Sequence, residues 1–185
     1  TQSRSSAASD VYKRQRLDEK KGIDLLIKSF IEINPPNVKL KIAGEFNPYK
    51  ENLESIISNS SIDSNNIEFL GFVKGEEKDI FIKNAFVLAA PSHSEVIGMV
   101  NLEAAILKIP VITTHQTGLS KLWAENGGFL INPNQKELTA SLSEVLQWSN
   151  KNQQEQGEKL YNFVLKNYTW RNRIQDWLKL YKSTL

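Results

Sequence analysis

The chain has no cysteine and only two histidines among its 185 residues. Without cysteine it forms no disulfide and no thiolate metal site, and two histidines without companion ligands make no metal-binding pattern. The absence of cysteine also fits a reducing compartment. Neither sign of charge dominates: the formal net charge is +2, with lysines mixed among glutamates along the chain. That is a solvated surface rather than the basic stripe of a nucleic-acid binder, so no nucleic-acid partner is expected. No apolar run reaches the ~18 residues of a spanning helix. That leaves attachment to a membrane surface open. A Gly-x-Gly-x-x-Gly fingerprint is absent, which argues against a dinucleotide enzyme. There is also no nucleophile–base pair and no phosphate-loop lysine motif. The length suits one domain.

The stretch from Thr1 to Gln15 is polar, rich in Ser and Ala, and lacks the apolar stretch of a signal peptide. Its run SSAASDVYKRQ resembles the translation of a sequencing adapter at the end of a metagenomic reading frame. The alternative is a disordered leader. On either reading residues 1–15 stand outside the fold, the domain comprises residues 16–185, and the first strand of its sheet is expected to be absent.

From Gly22 onward, helical and strand patterns alternate. Asp24 to Ile33 repeats apolar residues at helical spacing and stops at Asn34-Pro35-Pro36. Val38 to Ala43 alternates as a strand. Asn52 to Ser58 is helical, Ile67 to Phe72 a strand, and Glu76 to Asn84 a short helix. Phe86 to Ala90 and Pro110 to Thr113 are continuous apolar runs, as in strands buried on both faces. Gly98 to Leu107 is a helix, Ser120 to Ala124 a helical turn, and Phe129 to Ile131 a last short strand. Gln135 to Trp148, Glu158 to Asn167 and Trp170 to Tyr181 are helices, and Lys151 to Lys159 reads as a charged junction or hinge. Short strands separated by helices give an α/β, Rossmann-like, doubly wound parallel sheet with extra C-terminal helices. Ligands of such sheets bind at the carboxyl ends of the strands, here the loops after Ala43, Phe72, Ala90 and Thr113.

The segment from Ala89 to Leu119 carries the most chemistry. A buried strand enters a polar loop holding Glu95 and Gly98, and a helix follows. A helix start presents unpaired backbone N–H groups and partial positive charge, so Gly98-Met99-Val100 is a natural phosphate turn. Glu95 precedes the helix and Glu103 lies one to two turns inside it. Carboxylates beside a phosphate site suit sugar and ribose hydroxyls, which they bind as acceptors.

Two glutamates separated by seven residues, followed by Ala and then Pro110-Val111-Ile112, resemble the signature of retaining glycosyltransferases of the two-domain GT-B type. The pattern is similar to the "group 1" bacterial transferases in particular. The resemblance implies that Glu95 contacts the donor sugar, Glu103 the nucleotide ribose, and Gly98, Met99 and Val100 the diphosphate. Arg16-Leu17-Asp18-Glu19-Lys20-Lys21-Gly22 resembles the family's Gly-Arg-Leu…Lys-Gly motif, which makes Arg16 and Lys21 the cations that stabilise the departing nucleotide. Ala43-Gly44-Glu45 resembles the family's strand-end turn facing the donor. Phe69 to Val73 resembles its base-reading strand, with backbone groups near Val73, and Tyr168-Thr169-Trp170 the turn before its last helix. Gln15 stands where the glycine before Arg16 is usual, which fits a chain cut short at the adapter-like run. Further departures are Lys108 where a glycine is usual, Thr117-Gly118 for a Gly-Gly pair, and Lys121 for a glutamate. They loosen the subfamily and the donor identity.

The resemblance therefore implies the C-terminal, donor-binding half of a GT-B enzyme that transfers a sugar from a nucleotide diphosphate donor with retention, with no cofactor beyond that donor. The expected acceptor is a glycan or lipid-linked glycan bound by an N-terminal domain absent from this chain, in bacterial surface-glycan synthesis, in the cytoplasm and at the inner face of the membrane. The chain alone is then expected to be inactive. Rival readings are a noncatalytic nucleotide-binding or interaction module on the same fold and half of a sugar-nucleotide epimerase. Blander readings stand beside single residues. Arg16 and Lys21 could be a solvated pair, His93 and His115 loop polarity, Lys20 surface charge, and Trp123, Trp148, Trp170 and Trp177 helix-packing residues.

Overall fold

A computed structural model of the chain describes residues 11–14, with the backbone alone at 13 and 14, and residues 17–183. Six parallel strands form one sheet in the order β3-β2-β1-β4-β5-β6. They are β1 (Val11–Arg14), β2 (Leu40–Ala43), β3 (Ile67–Gly71), β4 (Val87–Ala90), β5 (Val111–Thr114) and β6 (Phe129–Ile131). The helices are α1 (Ile23–Ile33), α2 (Tyr49–Ser58), α3 (Gly75–Lys83), α4 (Met99–Ile106), α5 (Gln135–Leu146), α6 (Asn150–Tyr168) and α7 (Trp170–Ser183). The winding reverses between β1 and β4, and that switch point is where such sheets hold ligands.

Alternation along the strands builds two cores. Val11, Leu40, Ile42, Val87, Ala89 and Ile112 face the layer that holds α1 and α5. Tyr12, Ala43, Leu88, Ala90 and Val111 face the opposite layer, where α4 lies against α6. Successive side chains point to opposite faces, so strands buried on both sides read as unbroken apolar runs. Trp123 is fully buried, with its ring edge toward Phe163, and Trp148 stacks on Phe129.

Three expectations are corrected. Residues 11–14 are not outside the fold: they form the central strand, with the Val11 amide donating to the Lys39 carbonyl. Two buried side chains, one per face, suffice there because neighbouring strands on both sides take up the backbone hydrogen bonds. Residues 1–10, 15 and 16 lie outside the described ones. Lys151 to Lys159 is no junction but part of the 19-residue α6, capped by the Ser149 side chain. Its polarity hides the helix because the first side of α6 to reach the core is Gly157, where a Cβ would sit 2.0 Å from the Lys108 carbonyl oxygen. Trp170 and Trp177 are exposed rather than packed in the core, and α7 contributes no buried residue. Deleting residues 170–185 should therefore move the melting temperature by no more than about 2 °C, as followed by circular dichroism.

The start of α5 carries a pH-dependent cap. The Asn134 side chain accepts from the Glu137 amide, and the Glu137 carboxylate accepts in return from the Asn132 side chain and amide and the Asn134 side chain. This is a reciprocal cap. Chiefly through the Asn132 side chain, these bonds hold the Glu137 carboxyl below the usual carboxylate range. A depressed folded pKa contributes stability above the unfolded value and loses it as pH falls through the folded one. Glu137→Ala should thus melt below the unmodified chain at pH 7, and the gap should close on acidification. Parallel melting curves from pH 7 to pH 3 check this.

Candidate functional site

The loop from β1 to α1 is anchored from below. Leu17 is buried, and its carbonyl accepts from the Asn47 side chain at 2.5 Å. Asp18 caps a 3-10 turn, Glu19–Lys21, by accepting from the Lys20 amide. Gly22 closes the turn in the left-handed region, at φ 63°. Its α-carbon lies so near the loop after β4 that a Cβ would fall 2.1 Å from the Pro91 carbonyl oxygen. The His93 amide donates to the Lys20 carbonyl at 2.8 Å. The two loops at the switch point are thus joined, and Lys21 Nζ donates to Glu95 Oε2 at 2.6 Å. Both side chains are mostly buried, at 17% and 18% exposed.

The loop after β5 supports Glu95 from the other side. The Glu95 amide donates to the Gln116 carbonyl at 3.1 Å. Thr114 Oγ1 donates to the Ser92 carbonyl, and Thr117 Oγ1 to the Thr114 carbonyl. At the start of α4 the reason for Gly98 is spatial: a Cβ would sit 2.5 Å from Asn101 Nδ2 and 3.5 Å from Glu95 Cγ. Asn101 is fully buried and donates to Thr113 Oγ1, which donates to the Ala90 carbonyl. No side chain caps the N-terminus of α4. Its first-turn N–H groups and partial positive charge are left for an anion.

These elements enclose a cleft of about 500 Å³ at the carboxyl ends of the strands. Lys21, Gly44, Val73, Glu95, Met99, Val100 and Glu103 all line it. Gly98 supports the turn from behind rather than lining the cleft. Arg16 lies outside the described residues. Gly44 is placed by its amide, which donates to the Gly71 carbonyl at 2.8 Å beside a register shift between Ile42 and Ala43. Irregularities of this kind re-aim strand ends near sites. His93 lies apart, with Glu19, Lys20, Asp24 and Tyr49 around a neighbouring depression. There Tyr49 is pushed up to about 12, first by burial and then by the Asp24 and Glu19 charges. Both spaces carry more carboxylates than cations, but the uncapped start of α4 belongs to the cleft. His115 lines neither space. Among the described residues no group of three or more His, Cys, Asp or Glu could hold a metal ion. No helix among them is long and apolar enough to cross a membrane.

Of the further site residues, Glu45 and Phe72 lie in segments the sequence pointed to, whereas Ile97 and Lys78 escape sequence reasoning. Glu45, Phe72 and Ile97 also line the cleft. Lys78 of α3 reaches Glu103 Oε1 at 3.3 Å. Nothing in GEEKDIFIK separates Lys78 from its charged neighbours, because only its tertiary partner, Glu103 on α4, singles it out.

Comparison with known proteins agrees with this fold. Residues 9–163 match the model of the family described as "Glycosyl transferases group 1". An uncharacterized glycosyltransferase of Methanocaldococcus jannaschii is 29% identical over 174 residues, covering 92% of this chain and 44% of that one. The capsular polysaccharide biosynthesis glycosyltransferase CapM of Staphylococcus aureus is 36% identical over 112 residues, covering 56% of this chain and 27% of that one. Among solved structures, Anabaena HepE in complex with UDP-glucose superposes with a TM-score of 0.79 at 21% identity, covering 95% of this chain and 49% of that one. The chain thus spans less than half the length of these proteins, and it corresponds to a C-terminal-like part of the two-domain GT-B architecture.

Proposed function

We propose that this chain, which belongs to the group 1 glycosyl transferases, holds the nucleotide diphosphate part of a sugar donor in the Lys21–Glu95–Glu103 cleft. The observation that carries the reading is convergence: Lys21, an uncapped helix start and the carboxylates Glu45, Glu95 and Glu103, from separate elements, line a single cleft at the switch point. HepE, whose fold is similar, binds UDP-glucose.

In transfer, the bond between the anomeric carbon and the phosphate oxygen breaks, and negative charge grows on the departing nucleoside diphosphate. Lys21 and the Met99 and Val100 amides are fixed before the reaction, so they stabilise that charge without reorganising. Arg16 adds a second cation. Glu95 accepts from sugar hydroxyls and Glu103 from the ribose. Transfer runs with retention at the sugar, of the hexosyl type. The acceptor is a glycan or lipid-linked glycan of bacterial surface-glycan synthesis, met in the cytoplasm at the inner face of the membrane. The acceptor site belongs to a further domain of the longer enzyme, so this chain by itself transfers no sugar.

A thermal-shift series tests the reading. A UDP-sugar or GDP-sugar at about a hundred times its Kd stabilises the folded chain by ~2.7 kcal/mol, a plain rise in melting temperature. No rise with either class favours a noncatalytic interaction module.

A further inference from the structure

Lys78 has no task in the reading above, yet it is the better part buried. Its side chain is 22% exposed, and its Nζ lies 3.3 Å from Glu103 Oε1 and 3.6 Å from Asp79 Oδ1. We infer that Lys78 is the positioning residue for the ribose end of the site, holding the Glu103 carboxylate in place to accept from the ribose hydroxyls. The inference rests on the nucleotide-sugar reading of the cleft.

Three observations carry it. First, Glu103 lines the cleft while Lys78 does not, so the lysine approaches the carboxylate from behind and acts through it. Second, the ammonium engages Oε1. A carboxylate offers about four lone-pair directions, so one ammonium does not exhaust its acceptor capacity. Third, the geometry repeats at the other end of the cleft, where Lys21 engages Glu95 Oε2. The two lysines differ in origin. Lys21 comes from the loop between β1 and α1 and lines the cleft, whereas Lys78 comes from α3 and does not line it. Asp79, which shares the Lys78 ammonium, weakens its field at any phosphate.

A glutamate side chain free to rotate loses conformational entropy when a ligand fixes it. A lysine that has already fixed it removes that cost at binding, which is the general advantage of preorganisation. Removing the lysine should therefore weaken the nucleotide through Glu103 alone, and only where hydroxyls are there to be bound.

The test uses the full chain, titrated with UDP and GDP, then with the 2′,3′-dideoxy analogue of whichever binds more tightly. Lys78→Met should raise the Kd of the ribonucleotide about fivefold. Lys78→Arg should restore it to within about twofold. The dideoxy analogue should bind the unmodified chain and Lys78→Met alike, and melting temperatures should agree within about 2 °C. Equal ribonucleotide affinity for the unmodified chain and Lys78→Met overturns the inference while leaving the cleft reading intact. Equal losses for the ribo and dideoxy forms also overturn it, since they place the lysine on the phosphates. Binding of neither diphosphate by the unmodified chain overturns the nucleotide reading and this inference together.

Discussion

Glu103→Ala is expected to weaken nucleotide-sugar binding about tenfold to a hundredfold and to leave the melting temperature nearly where it was. The affinity loss follows from hydrogen bonds to a charged acceptor, worth ~1.5–3 kcal/mol, with ~1.4 kcal/mol corresponding to a factor of ten. The stability side follows from the position. The Glu103 side chain is 30% exposed, and its ion pair with Lys78 is of a partly solvated kind that contributes at most about 1 kcal/mol. Alanine is also a better helix former than glutamate within α4. Loss of binding with loss of fold would make Glu103 a structural residue instead. Glu103→Gln keeps an acceptor without the charge and should fall between the two. Titration calorimetry beside a melting curve for each variant separates these outcomes.

The second large effect belongs to Gly22. Its left-handed backbone costs an L residue about 1–2 kcal/mol, and the added Cβ would lie 2.1 Å from the Pro91 carbonyl oxygen. Both strands of the switch point feel the clash, because the turn and the loop after β4 are already joined through His93 and Lys20. Gly22→Ala should cost roughly 3–5 kcal/mol, lowering the melting temperature by about 10 °C. It should also weaken donor binding, since Lys21 and Glu95 sit on the two loops that the clash pushes apart. Gly75→Ala is the control: φ there is also positive, at 55°, but nothing lies within 4 Å of the new Cβ. It should lose only the conformational part, about 1–2 kcal/mol. Equal melting temperatures for the two variants would remove the loop-to-loop contact as the cause.

What could be read from the sequence follows from how local each feature is. The strands at Val87–Ala90 and Val111–Thr114 are legible because burial on both faces leaves an unbroken apolar run. Glu95, Gly98 and Glu103 are legible because a single strand-loop-helix segment carries all three. Lys108, seen as an oddity where glycine is usual, has φ 61° and so occupies a backbone conformation glycine favours. Lys78 is illegible because its partner is 25 residues away on a helix whose rotation is set by tertiary packing. The same holds for Asn101, a polar residue inside an apolar helix face that finds Thr113 on β5. Val11–Arg14 hides because strand formation there is driven by the neighbours on each side rather than by its own pattern. The exposed side of α7, with Trp170, Ile174, Trp177 and Tyr181 along one face, has the apolar periodicity of a packed helix.

The central claim is that one cleft, lined by Lys21, Glu95, the start of α4 and Glu103, binds a nucleotide diphosphate sugar. Isothermal titration of the full chain with UDP-glucose and GDP-mannose, run beside Glu103→Ala, addresses it most directly. The account predicts saturable one-site binding of at least one of the two, weakened about tenfold or more by the substitution. Absence of binding to both sugars, or binding that Glu103→Ala leaves untouched, would contradict it.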